Sequence, residues 1–224
     1  DAGAAQAVRL FDSGARVEVA SLAELEARTP GLADALAPRT RAERCWTLAS
    51  QWTAEIARRD LSPGRVLSYI DADVFWFGGL AALRQTIEAH SVSVVPHRFL
   101  PQDEPRLGPN GRYNVSVVSF RMDDIGRAAL GRWAAQCLDW CQAGSGDRAK
   151  FRYCGDQGYL DEWPALYGEG LAEFPPEIGV GPWNLRRHRV EAGPLMDGKP
   201  LVAYHFHEFR GAGRRTGYPL RRED

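Results

Sequence analysis

A short apolar segment that ends in two acids constrains this chain more than any other feature. Arg65-Val-Leu-Ser-Tyr-Ile70 follows Pro63-Gly64, is nearly continuous in apolar residues, and runs directly into Asp71-Ala72-Asp73. A run of this kind bounded by turn residues predicts a strand buried on both faces, as in a parallel sheet. In an extended chain residues i and i+2 project to the same side, so Asp71 and Asp73 can converge on one object. Two carboxylates that close repel each other unless a cation lies between them. Hard carboxylate oxygens favour Mg²⁺ or Mn²⁺ over zinc, and ligands of open α/β sheets gather at the carboxyl ends of strands, where this pair falls. An Asp-x-Asp pair can also do no more than cap a following helix. Here the apolar strand before it and the aromatic run Phe75-Trp76-Phe77 after it favour the metal reading, because unneutralised charge in an apolar setting is costly.

The rest of the chain alternates helix and strand patterns. Ser21-Leu-Ala-Glu24 reads as a capping box opening a short helix that ends before Pro30. From Thr40 to Arg59, Trp46, Leu48, Trp52 and Ile56 recur at helical spacing. Leu80 to Ala89 predicts a helix, Val92 to Val95 a strand cut by Pro96, and Asn114 to Phe120 another strand. Asp123 or Asp124 caps a long helix to about Cys141, with Ile125, Leu130, Trp133, Cys137 and Trp140 marking its buried face. Asp156 to Trp163 predicts a short helix ended by Pro164, and Leu201 to Phe206 a last strand. Strands alternating with helices imply an α/β domain with a mostly parallel, Rossmann-type sheet flanked by helices.

Tyr69-Ile-Asp-Ala-Asp73 followed by aromatics resembles the DxD motif of GT-A glycosyltransferases, the nucleotide-diphospho-sugar transferase superfamily. Four further blocks in the same order strengthen the resemblance to bacterial glycosyltransferase-like proteins: Pro96-His-Arg-Phe99 with Tyr113 to Phe120, Cys154 to Pro164, Gly181-Pro-Trp-Asn-Leu185, and Tyr204-His-Phe-His207. The family's later strand usually reads Asn-x-Gly-Val, and here Ser116 stands where that Gly would be. The resemblance spans about Arg39 to Arg210. It implies a single GT-A-like catalytic domain over residues 1–224 in which Asp1 to Leu10 falls after the family's first one or two strands.

By resemblance, the activity expected is transfer of a sugar from a nucleoside-diphosphate sugar, UDP-sugar foremost, to a hydroxyl of a glycan or lipid-linked acceptor. It is expected to be metal-assisted by Mn²⁺ or Mg²⁺ and to retain configuration. Asp73 is the firmer metal ligand, with Asp71 sharing the metal or holding the ribose. His205 and His207, two apart at the end of the last strand, are the candidates for a third metal ligand, His205 foremost, since Mn²⁺ accepts imidazole readily, with a hydrogen bond in the core as the alternative for either. Asp156 and Gln157 are the catalytic candidates at the reacting carbon, with helix capping by Asp156 as the alternative. Arg39, with Glu43 one helical turn on, is expected to bind donor, along with Asn114 and His97. Trp183 and Asn184 are placed on the acceptor side, where an aromatic face suits a sugar.

Composition excludes other classes. Of 224 residues 44% are hydrophobic and 25% charged with a net charge of −1, so neither a disordered chain nor a nucleic-acid binder is expected. Nothing approaches the roughly 18 apolar residues of a membrane span. Cys45, Cys137, Cys141 and Cys154 read as small buried hydrophobes of a reducing compartment, which places the protein in the cytoplasm or at the inner face of the membrane. Arg210, Arg214, Arg215, Arg221 and Arg222 form a basic C-terminal run that reads as a solvated terminus, with contact to phosphate or anionic lipid as the alternative. Two other functions stay open at this point: a metal-dependent phosphoesterase built on the same acids and histidines, and a non-catalytic module that binds nucleotide-sugar.

Overall fold

The structure, a computed structural model, describes residues 18–60, 62–78, 80–143, 155–212 and 215–217. Asp1 to Leu10, Cys154, Arg214, Arg221 and Arg222 lie outside the described residues, and Arg210 and Arg215 are described by their backbone alone.

The helical N-terminal part follows its capping signals. Helix α1 (Leu22–Arg28) opens on a complete capping box in which the Ser21 hydroxyl accepts from the Glu24 amide and the Glu24 carboxylate accepts from the Ser21 amide. Helix α2 (Leu32–Leu36) follows, then the long α3 (Arg41–Asp60). The apolar stripe expected on α3 divides: Leu48 and Trp52 pack on Leu25, Leu32 and Leu36 of α1 and α2, while Ile56 is 43% exposed. Besides the polar Glu43, Gln51, Thr53 and Glu55, α3 buries small residues, Thr47, Ala49, Ser50, Ala54 and Ala57, and small residues let a second helix approach closely.

That second helix is α6, reached through strand β1 (Val66–Ile70), β2 (Val74–Trp76), α4 (Leu80–Ala89), β3 (Val92–Pro96), a 3-10 turn (Pro101–Arg106), α5 (Leu107–Asn110) and β4 (Tyr113–Arg121). Asp123 caps α6 (Asp124–Asp139) by accepting from the Gly126 amide. The buried stripe of α6 runs Gly126, Ala129, Leu130, Trp133, Ala134 and Cys137. Ile125 falls on the flank of that stripe at helical spacing and is 40% exposed, a correction to the face expected above. Cys137 and Cys141 are buried as expected; Cys45 is exposed.

Beyond α6, Gly158–Glu162 is a 3-10 turn that leads into α7 (Trp163–Tyr167), so Pro164 sits in the first turn of a helix instead of ending one. Strand β5 (Leu171–Glu173) follows. The remaining strands are short: a meander of β6 (Val190–Glu191), β7 (Leu195–Met196) and β8 (Lys199–Pro200), then β9 (Ala203–His205), and a hairpin of β10 (Arg210–Ala212) and β11 (Arg215–Gly217).

The main sheet has the order β1-β4-β3-β5. It is mixed and mostly antiparallel, which corrects the parallel sheet expected from the sequence: β4 is antiparallel to both β1 and β3, and only β3 and β5 pair in parallel. The helix-strand alternation still had its effect, because β1, β3 and β5 all run one way. Strand β4 returns from β3 without a long crossover helix and inserts between β1 and β3, turning two of the three ladders antiparallel. Among the described residues β1 has a partner on one side only, and it is half-buried rather than buried on both faces, with Ile70 40% exposed.

Helices α3 and α6 cover one face of the sheet around Trp133, Phe120, Tyr113 and Trp163. Leu83 of α4 meets Val95, Val117, Phe174 and Val202 on the other. Between the pairs Val94↔Val118 and Val95↔Asn114 the ladder skips Val115, Ser116 and Val117, a bulge on β4. The bulge switches the alternation, so Tyr113 and Val115 face the same core as Val118 and Phe120 while Val117 faces the opposite one.

Close approach of α6 to β4 depends on Gly126. A Cβ there would stand 1.9 Å from the Arg121 carbonyl oxygen and 2.9 Å from that of Ser91, both backbone atoms that cannot swing aside. Gly131, on the same helix with nothing within 4 Å, is free of that constraint. Gly126→Ala is therefore expected to destabilise the protein by about 3 kcal/mol or more. Gly131→Ala should stabilise it by about 0.5–1 kcal/mol. Urea denaturation of the two variants checks both signs.

Candidate active site

The acid pair sits where β1 leaves the sheet. The Asp71 amide donates to the Ser116 carbonyl within the bulge, and the Val74 amide donates to Asp71, closing a turn that sends the chain into β2. Strand β9 pairs antiparallel with β2, setting His205 opposite Val74, and the Phe206 amide donates to the Asp73 carbonyl. The C-terminal histidines, distant in sequence, are thus clamped beside the acids. His205 Nε2 stands 3.0 Å from Asp73 Oδ1 and 3.8 Å from Asp71 Oδ2. Asp73, His205 and His207 each offer one ligand atom, all within 4.8 Å of one another.

The charge states suit a cation. Hydrogen bonding from His205 holds the Asp73 carboxyl below the usual carboxylate range. Burial raises Asp71, opposed by the Tyr69 hydroxyl, which donates to Asp71 Oδ1 at 2.5 Å. Burial lowers the basicity of His207, keeping the imidazole in its ligating form. His205 is buried with no partner on Nδ1, leaving ring polarity unmatched among the described residues. Carboxylates with two imidazoles fit Mn²⁺ or a similar divalent ion.

Beside this cluster opens a cavity of about 660 Å³. His97, Asn114, Asp156, Gln157, Trp183 and His207 all line it, so six residues singled out in the sequence meet on one wall. His97 is buried, and Nδ1 lies 2.9 Å from the Gly111 carbonyl, leaving Nε2 to accept from Asn114 Nδ2 at 3.3 Å. Burial drops its pKa to about 4, so it is neutral and fixes Asn114. Asn114 Oδ1 accepts the Ser116 amide of the bulge, and Gln157 Nε2 donates to the Asn110 carbonyl. Asp156 is buried. Its carboxyl is pushed up to about 8, chiefly by burial and then by the charge of Asp71, against the pull of backbone amides including that of Gln157. Gln157, not Asp156, occupies the N-cap position of the 3-10 turn, with no side-chain cap.

Two backbone positions beside the site are left-handed: Arg98 (φ 49) directly after His97, and Glu208 (φ 59) directly after His207. Non-glycine residues held there cost about 1–3 kcal/mol each, and such strain gathers at functional sites.

Two expected site residues are brought neither to the cavity lining nor to the acid–histidine cluster. Arg39 is buried with its guanidinium donating to Thr47 Oγ1 and to the Cys137 and Leu138 carbonyls, where it closes the end of α6. Asn184 is buried behind the wall, donating to the His97 and Gly179 carbonyls and accepting from the Gly181 amide. Conversely, Trp46, Phe99, Asp103, Arg106, Asn110, Arg186 and Glu208 line the cavity without having been singled out as site residues. Trp46 read as one more apolar helix position; its aromatic face is pressed by Gly155, where a Cβ would come within 2.9 Å.

No protein-family model matches the chain. An uncharacterized protein of Bacillus subtilis (strain 168), YfnF, is 31% identical over 182 residues, 77% of this chain, and the match spans 58% of that relative's length. The solved structure of mouse xyloside xylosyltransferase 1, in its apo form, superposes with a TM-score of 0.52 at 13% identity. It covers 92% of this chain and 81% of that one. The chain has a GT-A-like fold, that of a glycosyltransferase. No helix among the described residues is long and apolar enough to cross a membrane.

The buried acid makes stability depend on pH. The carboxyl of Asp156 stays protonated in the folded protein until about pH 8, whereas in the unfolded chain it ionises near its ordinary value of 3.8. Its stabilising contribution is therefore full below about pH 4 and is lost as pH rises through about 8. Asp156→Asn carries no such proton. Relative to that variant, the wild-type urea midpoint should fall between about pH 5 and pH 8.5, and parallel profiles would contradict a protonated Asp156.

Proposed function

We propose that this protein transfers a sugar from a nucleoside-diphosphate sugar, UDP-sugar foremost, to an acceptor hydroxyl, with a divalent cation, Mn²⁺ or Mg²⁺, held by Asp71, Asp73, His205 and His207. The observation that carries the reading is the convergence of Asp73, His205 and His207 beside a cavity whose wall holds the buried Asp156. The GT-A-like fold supports the same class of reaction.

In the reaction the bond from the sugar's anomeric carbon to the diphosphate breaks, a bond to the acceptor oxygen forms, and the acceptor's proton passes to the departing diphosphate. The cation supplies Lewis-acid stabilisation of the charge growing on the departing diphosphate. Tyr69 orients Asp71 by its hydrogen bond, and the β2–β9 pairing orients His205. Asp156, protonated at neutral pH, donates a hydrogen bond to a sugar hydroxyl, while its own charge stays suppressed near the electron-poor carbon. Gln157 has its Nε2 committed to Asn110, and its carbonyl oxygen, which accepts from Asn114 at 3.5 Å, keeps a second lone pair for the sugar. Trp46 and Trp183 give aromatic faces on which sugar C–H surfaces pack. Configuration is retained, and the acceptor is a glycan or lipid-linked hydroxyl.

A screen of UDP-sugars with Mn²⁺, read by released UDP, tests the proposal. Turnover should vanish with chelator and fall about 100-fold or more in Asp73→Ala. Cleavage of simple phosphate esters with no sugar nucleotide consumed would replace it with phosphoesterase chemistry. Binding of nucleotide and metal with no product released would reduce the protein to a binding module.

A further inference from the structure

The arginines around the cavity are not equivalent. Arg187 donates to the Arg98 and Phe99 carbonyls, and Arg98 donates to the Phe174 carbonyl, so both tie the backbone together. Arg106 and Arg186 line the cavity, Arg186 from an exposed position, and among the described residues neither guanidinium makes a hydrogen bond or an ion pair. Arg106 is half-buried and lies over the Phe99 ring, 5.2 Å from its centroid, which pre-positions the charge without satisfying its donors. Arg186 belongs to the 3-10 turn Leu185–Arg187 that Arg187 fastens to the Phe99 segment, so both free cations border one part of the wall.

A chain of ring contacts runs from that part to the acid–histidine cluster. Phe99 stacks on His97 at 4.7 Å, His97 meets Trp183 at 5.6 Å, and Trp183 meets His205 at 5.3 Å and His207 at 5.9 Å. The acids in the same wall do not neutralise the pair. Among the described residues Asp103, one turn before Arg106, makes no ion pair with it, and Glu208 directly follows His207, whose ring ends the chain of contacts, and pairs with neither arginine. Five fixed donors on each guanidinium, unmatched and facing a cavity, suit a carboxylate or a phosphate.

We propose that Arg106 and Arg186 form an anion subsite that takes the carboxylate or phosphate of an acidic sugar acceptor, apart from the end of the cavity that handles the donor diphosphate. The word acceptor rests on the sugar-transfer reading above; the subsite itself is a claim about binding.

Calorimetry of the full chain in chelator, with glucuronate and glucose 6-phosphate as probes and glucose as neutral control, tests it. Both anionic probes should bind at least about tenfold tighter than glucose, and the tighter of the two identifies the anion. Arg106→Gln and Arg186→Gln should each weaken the anionic probes about tenfold, and Arg106→Lys should recover part of the loss. Affinity for UDP with Mn²⁺ should hold within about twofold in all three, which also reports that the variants are folded. Added salt should weaken the anionic probes on the wild-type protein but not glucose, independently of any variant. Probes no tighter than glucose, or unaffected by both substitutions, would overturn the subsite. A matching loss of UDP–Mn²⁺ affinity in the folded variants would assign the arginines to the donor diphosphate instead. Wild-type protein that binds the anionic probes through these arginines yet never binds UDP with Mn²⁺ would sink the sugar-transfer reading and leave the subsite standing.

Discussion

The bulge in β4 is the constraint on which the rest of the site depends. A regular strand has a side-chain period of two, and no regular strand could send Val115 and Val118 to the same core. Skipping three residues against β3 lets one strand serve two hydrophobic layers and leaves a stretch of backbone with free polar groups between them. Those groups are used on both sides. The Ser116 carbonyl accepts the Asp71 amide, fixing the acid pair, and the Ser116 amide donates to Asn114 Oδ1, turning that side chain towards His97 and Gln157. The acid pair and the polar wall of the cavity are thereby referenced to a single residue, and a shift of one would be felt by the other.

What the sequence disclosed, and what it hid, follows the same physics. Local signals were legible: the capping box at Ser21, the Asp123 cap, the turn at Pro63-Gly64 and the i, i+2 acids are each decided within a few residues. The pair His205 and His207 was legible as chemistry, but its proximity to Asp73 comes from β9 pairing with β2, a contact made across some 130 residues of chain. Sheet direction was not legible. Helix–strand alternation reports that β1, β3 and β5 are parallel, and says nothing about β4 being inserted between two of them. Arg39 misled for a related reason, since an i, i+4 Arg/Glu spacing looks the same whether the guanidinium faces a ligand or, as here, the carbonyls at the end of α6. Ser116 in place of the family's usual Gly sits buried in the bulge, where its backbone rather than its side chain carries the contacts.

Burial then sorts the titratable groups of the site into two kinds. His97 and Asp156 are buried in the wall, and desolvation keeps both neutral near pH 7, one by loss of a proton and the other by its retention. Asp73 and His207 are exposed at the mouth, where solvent and the His205 contact let Asp73 keep its charge. His97 and Asp156 thus offer hydrogen bonds without charge of their own, in a cavity whose charged lining, Asp103, Arg106, Arg186 and Glu208, lies elsewhere along its surface. The left-handed residues Arg98 and Glu208 lie on this boundary, each immediately after a histidine of one kind, His97 in the wall and His207 at the mouth. A left-handed conformation at a non-glycine residue costs about 1–3 kcal/mol, and here that cost falls directly beside the two imidazoles.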